Sequence, residues 1–223
     1  GTIFSPSKVE NFDDYTTWTG SILKDYNSKW HYFYTGRNKK EKGAKQRIGH
    51  AYGNTPYSFE RCGSGLALDL DKEIYEEYSE NGFWKERAMR DPWVMRHPLK
   101  NKYIMAYTAR ASINEDPYQC GVIGMAESND LYEWKSTKPL FGGLFSQLEV
   151  PQIFLVKDKW YCLFCNHPED WSDNFKKTYN GPIKRGTHYL IAEKFEGPWQ
   201  LAPGSYLTTN SEVELYAGRV VEK

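Results

Sequence analysis

Residues 146–156 read Ser-Gln-Leu-Glu-Val-Pro-Gln-Ile-Phe-Leu-Val, in which an acid and a proline stand at the head of an apolar run. A polar turn at 157–159 and a second apolar run at 160–165 follow, so the stretch predicts a β-hairpin. A proline is tolerated near the start of a strand, but a carboxylate there is costly unless it is paired or faces a cleft. Glu149 is therefore either a hydrogen-bonded acid at a strand end or a catalytic acid, and this stretch alone leaves both interpretations open.

A second stretch of the same kind begins at residue 89, where the sequence reads Met-Arg-Asp-Pro-Trp-Val-Met. Asp91 and a proline again precede an apolar run, and a polar turn at 99–102 leads into a strand-like run at 103–108. Two such hairpins indicate a structural repeat. Because equivalent strand ends meet in a radial repeat, we expect Asp91 and Glu149 at one mouth of a central channel.

The chain divides into units with the same order of predicted strands, at about 14–87, 88–141 and 146–207, with the opening of a fourth unit at 212–223. The predicted strands lie at 14–23, 30–37, 46–52 and 57–60, at 93–95, 103–110, 120–127 and near Trp134, at 153–156, 160–165, 188–193 and near Trp199, and at 215–221. The acidic stretch 68–85 has room for one helical turn or more. Four strands per radially repeated unit predict an all-β fold, a β-propeller that residues 1–223 form as a single domain.

Composition narrows the range of partners. The 223 residues carry a formal net charge of +0 with a pI of about 7.1, so no overall field attracts nucleic acid or an anionic membrane, and neither is expected as a partner. No apolar run has the length of a membrane span, and residues 1–3 do not form a signal peptide. The four cysteines, at 62, 120, 162 and 165, are expected to be buried thiols, which is compatible with the cytoplasm but leaves the compartment unknown. The sequence predicts neither a metal site nor a cofactor.

Three motifs occur in a fixed order: Trp18-Thr19-Gly20-Ser21, Arg90-Asp91-Pro92 and Glu149-Val150-Pro151. Together they resemble glycoside hydrolase family 32, the related family 68 and, less closely, family 43. Residues 128–134 and 195–199 resemble edge-strand signatures of the same superfamily. The resemblance implies a five-bladed β-propeller glycosidase, and families 32 and 68 act on fructose-containing sugars.

The resemblance also implies roles for individual residues. Glu149 matches the general acid/base, and Asp91 matches the carboxylate that holds sugar hydroxyls and stabilises the transition state. Arg90 lies beside Asp91, and Trp18 and Ser21 match residues that line the sugar pocket. A general acid must be protonated at the working pH, so we expect a raised pKa for Glu149, whereas Asp91 stays ionised near Arg90.

Position along the chain adds two substrate-binding candidates. Gln147 lies beside Glu149, and His167 belongs to the long polar loop between the predicted strands 160–165 and 188–193, where long loops are often functional. Weaker candidates for contacts with the sugar are Arg110, Tyr118, Asp170, Trp171 and His188.

The chain departs from the family pattern at its beginning. Family 32 carries its nucleophile, an Asp in an Asn-Asp-Pro-Asn-like motif, on the first blade. Only 17 residues precede Trp18 and none forms such a motif, which leaves Asp13 or Asp14 as weak candidates. The predicted propeller therefore has an incomplete or missing first blade. Open sheet edges favour association, so a second copy of the chain is an expected partner that completes the ring.

Three functional hypotheses follow. The first is a probable glycosidase that acts on fructosides of the sucrose, levan or inulin type, with Glu149 and Asp91 as catalytic carboxylates. The second is a family-43-like arabinofuranosidase or xylosidase, in which inversion would use an activated water. The third is a non-catalytic carbohydrate-binding relative that lacks the nucleophile. All three have a carbohydrate as the partner.

Overall fold

The structure, a computed structural model, describes residues 2–78, 82–111, 115–207 and 215–221. Within these ranges, twelve strands form three four-stranded sheets, each built from four consecutive strands in chain order. All neighbouring strands are antiparallel, as expected for strands that follow one another along the chain.

The bounds of the elements are as follows. The first sheet contains β1 (Thr16–Lys24), β2 (Trp30–Arg37), β3 (Arg47–Thr55) and β4 (Ser58–Leu68). The second contains β5 (Met89–Arg96), β6 (Tyr103–Arg110), β7 (Gly121–Ser128) and β8 (Lys135–Gly142). The third contains β9 (Glu149–Val156), β10 (Lys159–Asn166), β11 (Gly186–Ala192) and β12 (Gln200–Leu207), with the short helix α1 (Asp173–Thr178) between β10 and β11.

The predicted all-β class and the repeat of four strands are confirmed in these three sheets. The outermost strand β4 is longer than the predicted strand at 57–60, because it continues through Gly63 and Gly65. Both glycines have a positive φ, 58° and 84°, which lets the strand shift its register against β3 and still remain paired.

The acidic stretch 68–85 forms a single turn and no helix within its described part. The turn is closed by the Tyr75 amide, which donates to the carbonyl of Asp71 at 2.9 Å. The Tyr75 ring is buried, and its hydroxyl accepts from the Met125 amide at 3.0 Å and donates to the Thr137 carbonyl at 2.9 Å. Packing on the second sheet therefore holds this connection in place.

The predicted strand at 215–221 is wrong, since this segment pairs with no strand in the part of the chain that the structure describes. It lies against the third sheet instead. The Thr187 amide donates to the carbonyl of Leu215 at 2.7 Å, and the side-chain oxygen of Gln152 accepts from the Val220 amide at 2.9 Å. Glu212, where a fourth unit was predicted to begin, lies outside the described residues.

Adjacent sheets pack face to face through apolar cores. The core between the first two sheets includes Phe33, Ile48, Met105, Tyr107 and Val122. The core between the second and third sheets includes Ile104, Ile123, Phe164, Trp171 and Leu190. All eight residues of β6 are buried, because its alternating side chains enter one core and then the other. This packing brings the inner strands β1, β5 and β9 side by side, as in the blades of a propeller.

Each inner strand carries a β-bulge close to its start. The bulges lie between Thr17 and Gly20 in β1, between Arg90 and Trp93 in β5, and between Glu149 and Gln152 in β9. A bulge bends its strand and changes the direction of the next side chains, and bulges are frequent beside active sites. The three predicted motifs are therefore the places where the inner strands bend.

Candidate active site

Trp18, Arg90 and Glu149 occupy equivalent positions in the three sheets. In the first two sheets the second strands set this alignment, because Tyr34 in β2 and Tyr107 in β6 each pair with a glycine of the third strand and each precede a threonine. In the third sheet Glu149 pairs with Cys165 directly before the bulge, as Arg90 pairs with Thr108 directly before its own. The bulges thus place an indole, a guanidinium and a carboxylate at one end of the inner strands. All three residues are among those predicted from the sequence.

The next position along each strand holds Thr19, Asp91 and Val150. The acid-and-proline repeat seen in the sequence is therefore offset by one residue, since Asp91 aligns with Val150 and not with Glu149. Both Asp91 and Val150 have a positive φ, 58° and 53°. This conformation is rare for a β-branched residue such as Val150. Tertiary contacts must hold these two bends in place.

Glu149 has partners on both of its carboxylate oxygens. Oε1 accepts from Nη2 of Arg90 at 2.8 Å, and Oε2 accepts from the hydroxyl of Tyr216. The side chain of Glu149 is 24% exposed, so a ligand can reach it. Burial alone would raise the pKa of Glu149, but the charge of Arg90 and the hydrogen bonds from Tyr216 and Arg90 bring that pKa below its ordinary value.

The expected rise in the pKa of Glu149 is therefore wrong for the structure as it stands. The sequence argument counted the desolvation of the acid but not the buried cation beside it. A carboxylate with a lowered pKa is ionised near neutral pH, which suits a proton acceptor. To act as an acid, Glu149 would have to take up a proton when substrate changes these contacts.

Arg90 is the buried cation at the centre of the site, with 6% of its surface exposed. Its Nη2 also donates to Oε1 of Gln147 at 2.7 Å, and its Nη1 donates to Oε1 of Gln46 at 3.3 Å. Its Nε lies 3.6 Å from Oδ2 of Asp91. These acceptors fix the plane of the guanidinium, so it points one nitrogen at Glu149.

Asp91 ties the three sheets together. Its Oδ1 accepts from the hydroxyl of Thr19 on β1, and its Oδ2 accepts from the hydroxyl of Thr108 at 3.0 Å and from the amide of Val150 at 3.1 Å. Its own amide donates to Oγ1 of Thr35 at 2.8 Å. The carboxylate is 4% exposed, so its first effect is to hold β9, and with it Glu149, against β1 and β5.

The structure separates the two predicted pocket residues of the first motif. Trp18 is 37% exposed, and the guanidinium of Arg37 lies 4.2 Å from its ring centre. Ser21 is buried, and its hydroxyl accepts from the amide of Val94 at 3.0 Å, which links β1 to β5. Ser21 also lines a largely apolar cleft of about 830 Å³ along the inner strands, with Trp93 among its walls.

Gln147 and His167 each contact a partner of Glu149, namely Arg90 and Tyr216. Gln147 is buried, and its carbonyl accepts from Nδ2 of Asn166 at 2.6 Å, while its Nε2 has no hydrogen-bond partner among the described residues. The ring of His167 lies 5.0 Å from the ring of Tyr216, which itself bonds to Glu149. Both residues that the sequence predicted therefore lie in the surroundings of Glu149.

The weaker candidates differ in their distance from the site. Asp170 accepts from the hydroxyl of Ser146 at 2.6 Å, and burial raises its pKa. Arg110 donates through Nη1 to the carbonyl of Ser146 at 2.8 Å. Trp171 and His188 belong to the core of the third sheet, where their rings are 5.5 Å apart. Tyr118 lies at the surface and is 38% exposed.

Asp13 and Asp14 are not brought to Glu149. Asp13 is fully buried on the other face of the first sheet, where its Oδ2 accepts from Nη2 of Arg61 at 2.6 Å and from the hydroxyl of Tyr34 at 2.9 Å. Asp14 accepts from the amide of Lys39 at 2.8 Å. Neither carboxylate contacts the residues around Glu149, which removes the structural support for a nucleophile at either position.

Sequence reasoning missed Tyr216 and Gln46. Tyr216 follows a stretch with no motif, and Gln46 lies just ahead of a strand, so neither carries a local signal. Thr35 and Thr108 do carry a local sequence signal, because each follows a tyrosine near the end of a second strand. In the described ranges, no group of acidic, histidine or cysteine side chains has the geometry of a metal site, and no helix has the length and apolar character needed to span a membrane.

The family profile described as "Glycosyl hydrolases family 32 N-terminal domain" matches residues 3–222. The chain belongs to glycosyl hydrolase family 32. This match covers nearly the whole chain and confirms the resemblance carried by the three motifs. No curated protein matches the chain at a significant level.

Solved structures share the fold of this family 32 chain. They include an inulosucrase from Halalkalicoccus jeotgali bound to kestose, with a TM-score of 0.72 and 22% identity over 93% of this chain and 55% of that one. A Bacillus subtilis levansucrase has a TM-score of 0.65 and 18% identity, over 85% of this chain and 53% of that one. A Microbacterium saccharophilum K-1 beta-fructofuranosidase mutant has a TM-score of 0.64 and 20% identity, over 85% of this chain and 43% of that one. These relatives are five-bladed propellers, and this chain spans about half of their length.

Proposed function

We propose that this chain supplies part of the active site of a glycosidase that acts on fructosides of the sucrose, levan or inulin type. One observation carries the proposal: Glu149 lies at the bend of an inner strand, part-exposed, with its two oxygens held by Arg90 and Tyr216. The similar solved structures include the inulosucrase bound to kestose and, in addition, a levansucrase complexed with sucrose, which supports a fructoside as the substrate class.

In this proposal Glu149 exchanges a proton with the substrate. Ionised Glu149 is ready to accept a proton from water or from a sugar hydroxyl that attacks the fructosyl group. In the reverse sense, a proton on Glu149 passes to the oxygen of the departing sugar. Arg90 and Tyr216 set how easily that proton is held, and Asp91 keeps Glu149 in register with the other two inner strands.

The remaining predicted residues divide into two that can contact the substrate directly and two that act through other residues. Trp18 offers an exposed ring at the position equivalent to Glu149, and His167 offers a ring that is one-third exposed beside Tyr216. Gln147 acts through Arg90, and Ser21 acts through the link between β1 and β5. The structure therefore favours direct sugar contact for Trp18 and His167 over Gln147 and Ser21.

A non-catalytic carbohydrate-binding role is the second candidate function. It is favoured by Asp91, because both of its oxygens already accept hydrogen bonds from protein groups. The family-43-like alternative, an arabinofuranosidase or xylosidase, stays a separate prediction without support among the relatives named above.

The deciding experiment measures free sugar released from sucrose, levan, inulin and an aryl arabinofuranoside, with the wild-type chain and with Glu149→Gln. Release of fructose that disappears in Glu149→Gln supports the fructosidase. Release only from the arabinofuranoside favours the family-43-like alternative. Binding of sucrose without any release, by a folded protein, favours the binding-only role.

We also propose that a second copy completes the ring. The outer face of the third sheet carries a row of half-buried aromatic rings, Phe154, Tyr161 and Tyr189, with successive ring centres 5.6 and 6.1 Å apart. Such a face is typical of the surface against which another sheet packs. Light scattering at several protein concentrations tests this proposal, and a monomer at all of them contradicts it.

A further inference from the structure

Arg185 lies over the ring of Tyr216, the residue that donates to Glu149. The guanidinium carbon of Arg185 is 4.5 Å from the centre of the ring, and the phenol hydroxyl of Tyr216 donates to Oε2 of Glu149. Arg185 is exposed, Tyr216 is half-buried and Glu149 is reached by solvent only in part. A cation, a phenol and a carboxylate therefore form one chain of contacts from the surface to the candidate acid.

The segment that carries Tyr216 is fixed by the start of β11. The Leu215 carbonyl accepts from the amide and from the hydroxyl of Thr187, each at 2.7 Å. Gly186 permits this close approach, because a Cβ at that position would lie only 3.2 Å from the Leu215 carbonyl oxygen. Arg185 directly precedes Gly186, so the approach that fixes Leu215 also brings the guanidinium to the phenol ring.

A cation over a phenol ring makes the hydroxyl of that ring a stronger donor. The charge is attracted to the face of the ring and draws electron density from it, which leaves the O–H group more polar. Burial and the bond to Glu149 raise the pKa of Tyr216, so the phenol keeps its proton and donates in this pair. A stronger donor favours the ionised form of Glu149 over the protonated form.

We propose that Arg185 is a positioning residue that acts through Tyr216, because its guanidinium holds the phenol against Glu149 and strengthens the hydrogen bond to that carboxylate. The inference rests on the proposed function, since it adds a residue to the same site. In this role Arg185 sets how readily Glu149 gives and takes a proton, and it needs no contact with the substrate.

Other charged and titratable groups of the described residues face the same pair from the surrounding elements. They are Arg90 of β5, Cys165 of β10, and His167 and Asp170 of the loop after β10. Each of these groups has its own effect on the protonation of Glu149 or Tyr216. The test therefore leaves all of them in place and changes only Arg185, Tyr216 and one control position.

Carboxyl NMR titration of Glu149 tests the inference without turnover. Arg185→Gln should raise the pKa of Glu149 by about 0.5, or about three-fold in proton affinity, since an exposed contact of a cation with a ring is weak. Arg185→Lys keeps the charge without the planar stacking, so it should reverse only part of this rise. In a Tyr216→Phe background the hydroxyl is absent, and Arg185→Gln should then change the pKa of Glu149 little.

Lys184→Gln is the matched control. Lys184 is exposed, directly precedes Arg185 and lies over a different phenol ring, 5.8 Å from the centre of Tyr206. The control removes the same charge from the same loop and should leave the pKa of Glu149 unchanged. An equal rise with Lys184→Gln overturns the inference, because it shows a general effect of charge. No rise with Arg185→Gln overturns it as well, as does a rise of the same size with and without the Tyr216 hydroxyl.

Activity separates this inference from the proposed function. The descending limb of kcat/KM for sucrose against pH should move to higher pH in Arg185→Gln by the same amount as the pKa of Glu149. If fructose release depends on Glu149 but its pKa does not respond to Arg185, the proposed function stands and this inference fails. If the pKa responds as expected but no sugar is released by any of the proteins, the link from Arg185 to Glu149 stands and the proposed function fails.

Discussion

Arg90 and Glu149 hold equivalent places on neighbouring inner strands, and the guanidinium of one donates to the carboxylate of the other at 2.8 Å. The repeat thus delivers a cation and an anion to one spot by the same backbone bend. Because Arg90 is buried while Glu149 keeps a quarter of its surface exposed, the pair has a fixed member and a member that ligands can reach. This asymmetry sets what each substitution should do.

Arg90→Gln should remove the buried cation and leave Glu149 without its charged partner. Breaking a buried ion pair costs about 3–5 kcal/mol, so we expect the free energy of unfolding to fall by an amount of that order. The pKa of Glu149 should rise, because burial is then opposed by the hydrogen bond from Tyr216 without the charge of Arg90. Urea unfolding and carboxyl NMR titration measure the two effects. Arg96→Gln, at the other end of β5, is the control, and an equal loss of stability there would refute the argument.

Tyr216→Phe should raise the pKa of Glu149 while it leaves Arg90 in place. The phenol donates to Oε2 of Glu149, and its removal withdraws one stabilising bond from the ionised form. If protonated Glu149 is the active form, activity is lost as pH rises through its pKa, so the variant should stay active to higher pH. The measurement is kcat/KM against pH, with Tyr57→Phe as control. An unchanged descending limb would show that Tyr216 does not tune this acid.

Asp91→Asn tests the link among the three inner strands. Asparagine has one acceptor oxygen in place of two, so its amide nitrogen must face either the Thr19 hydroxyl or the Thr108 hydroxyl and the Val150 amide, and at least one buried donor loses its acceptor. We expect a loss of about 1–3 kcal/mol in the free energy of unfolding, by the usual cost of an unsatisfied buried group. Asparagine tolerates the positive φ at this position, so the backbone itself is not the cause. Asp14→Asn, a surface acid with one such bond, should cost far less.

His50 should make the protein sensitive to acid. Burial and the neighbouring His31 lower the pKa of His50 to about 3, and Nδ1 of His31 lies 2.8 Å from Nε2 of His50. An unfolded histidine titrates near 6.5, so below that pH the unfolded chain takes up a proton that the folded chain refuses. Stability should therefore fall as pH drops from about 6.5 toward 3, by up to about 1.4 kcal/mol per pH unit for this group.

Thermal unfolding at pH 7, 6, 5 and 4 measures that dependence, and His50→Gln should flatten it. The neighbouring His31 also titrates, and the charge of Asp25, 3.4 Å away, favours protonation of the His31 ring. The comparison with His50→Gln therefore separates the contribution of His50 from that of His31. His167→Gln, at a side chain one-third exposed, serves as the control. A slope that is the same in all three proteins would mean that other groups govern the acid response.

The sequence predicted the sheets well because the strand pattern is local. Apolar runs, polar turns and the Tyr-Thr pairs at 34–35 and 107–108 each belong to one hairpin, and the hairpins fold as predicted. The offset between Asp91 and Glu149 was present in the sequence, because Asp91 directly precedes Pro92 whereas Glu149 stands two residues before Pro151, but the bulge that bends each inner strand left no distinct composition. The acid and the proline alone do not tell which of the residues before the bend faces the site.

Charge and long-range partners limited the prediction of the site. Tyr216 is 67 positions beyond Glu149 and reaches it only through the path of the final described segment. The sign of the pKa change in Glu149 depends on Arg90, which is 59 positions away in sequence. The residue types were therefore predictable, whereas their protonation was not.

The positive φ at Val150 limits how the site can diversify. A valine in this conformation is held against its own preference by the carboxylate of Asp91, so the backbone there cannot drift without loss of that bond. A substitution that preserves this backbone can consequently change only the side chains at the bends. The three inner strands share one backbone bend, and their chemistry at this bend differs only through the side chain that occupies it, an indole, a guanidinium or a carboxylate.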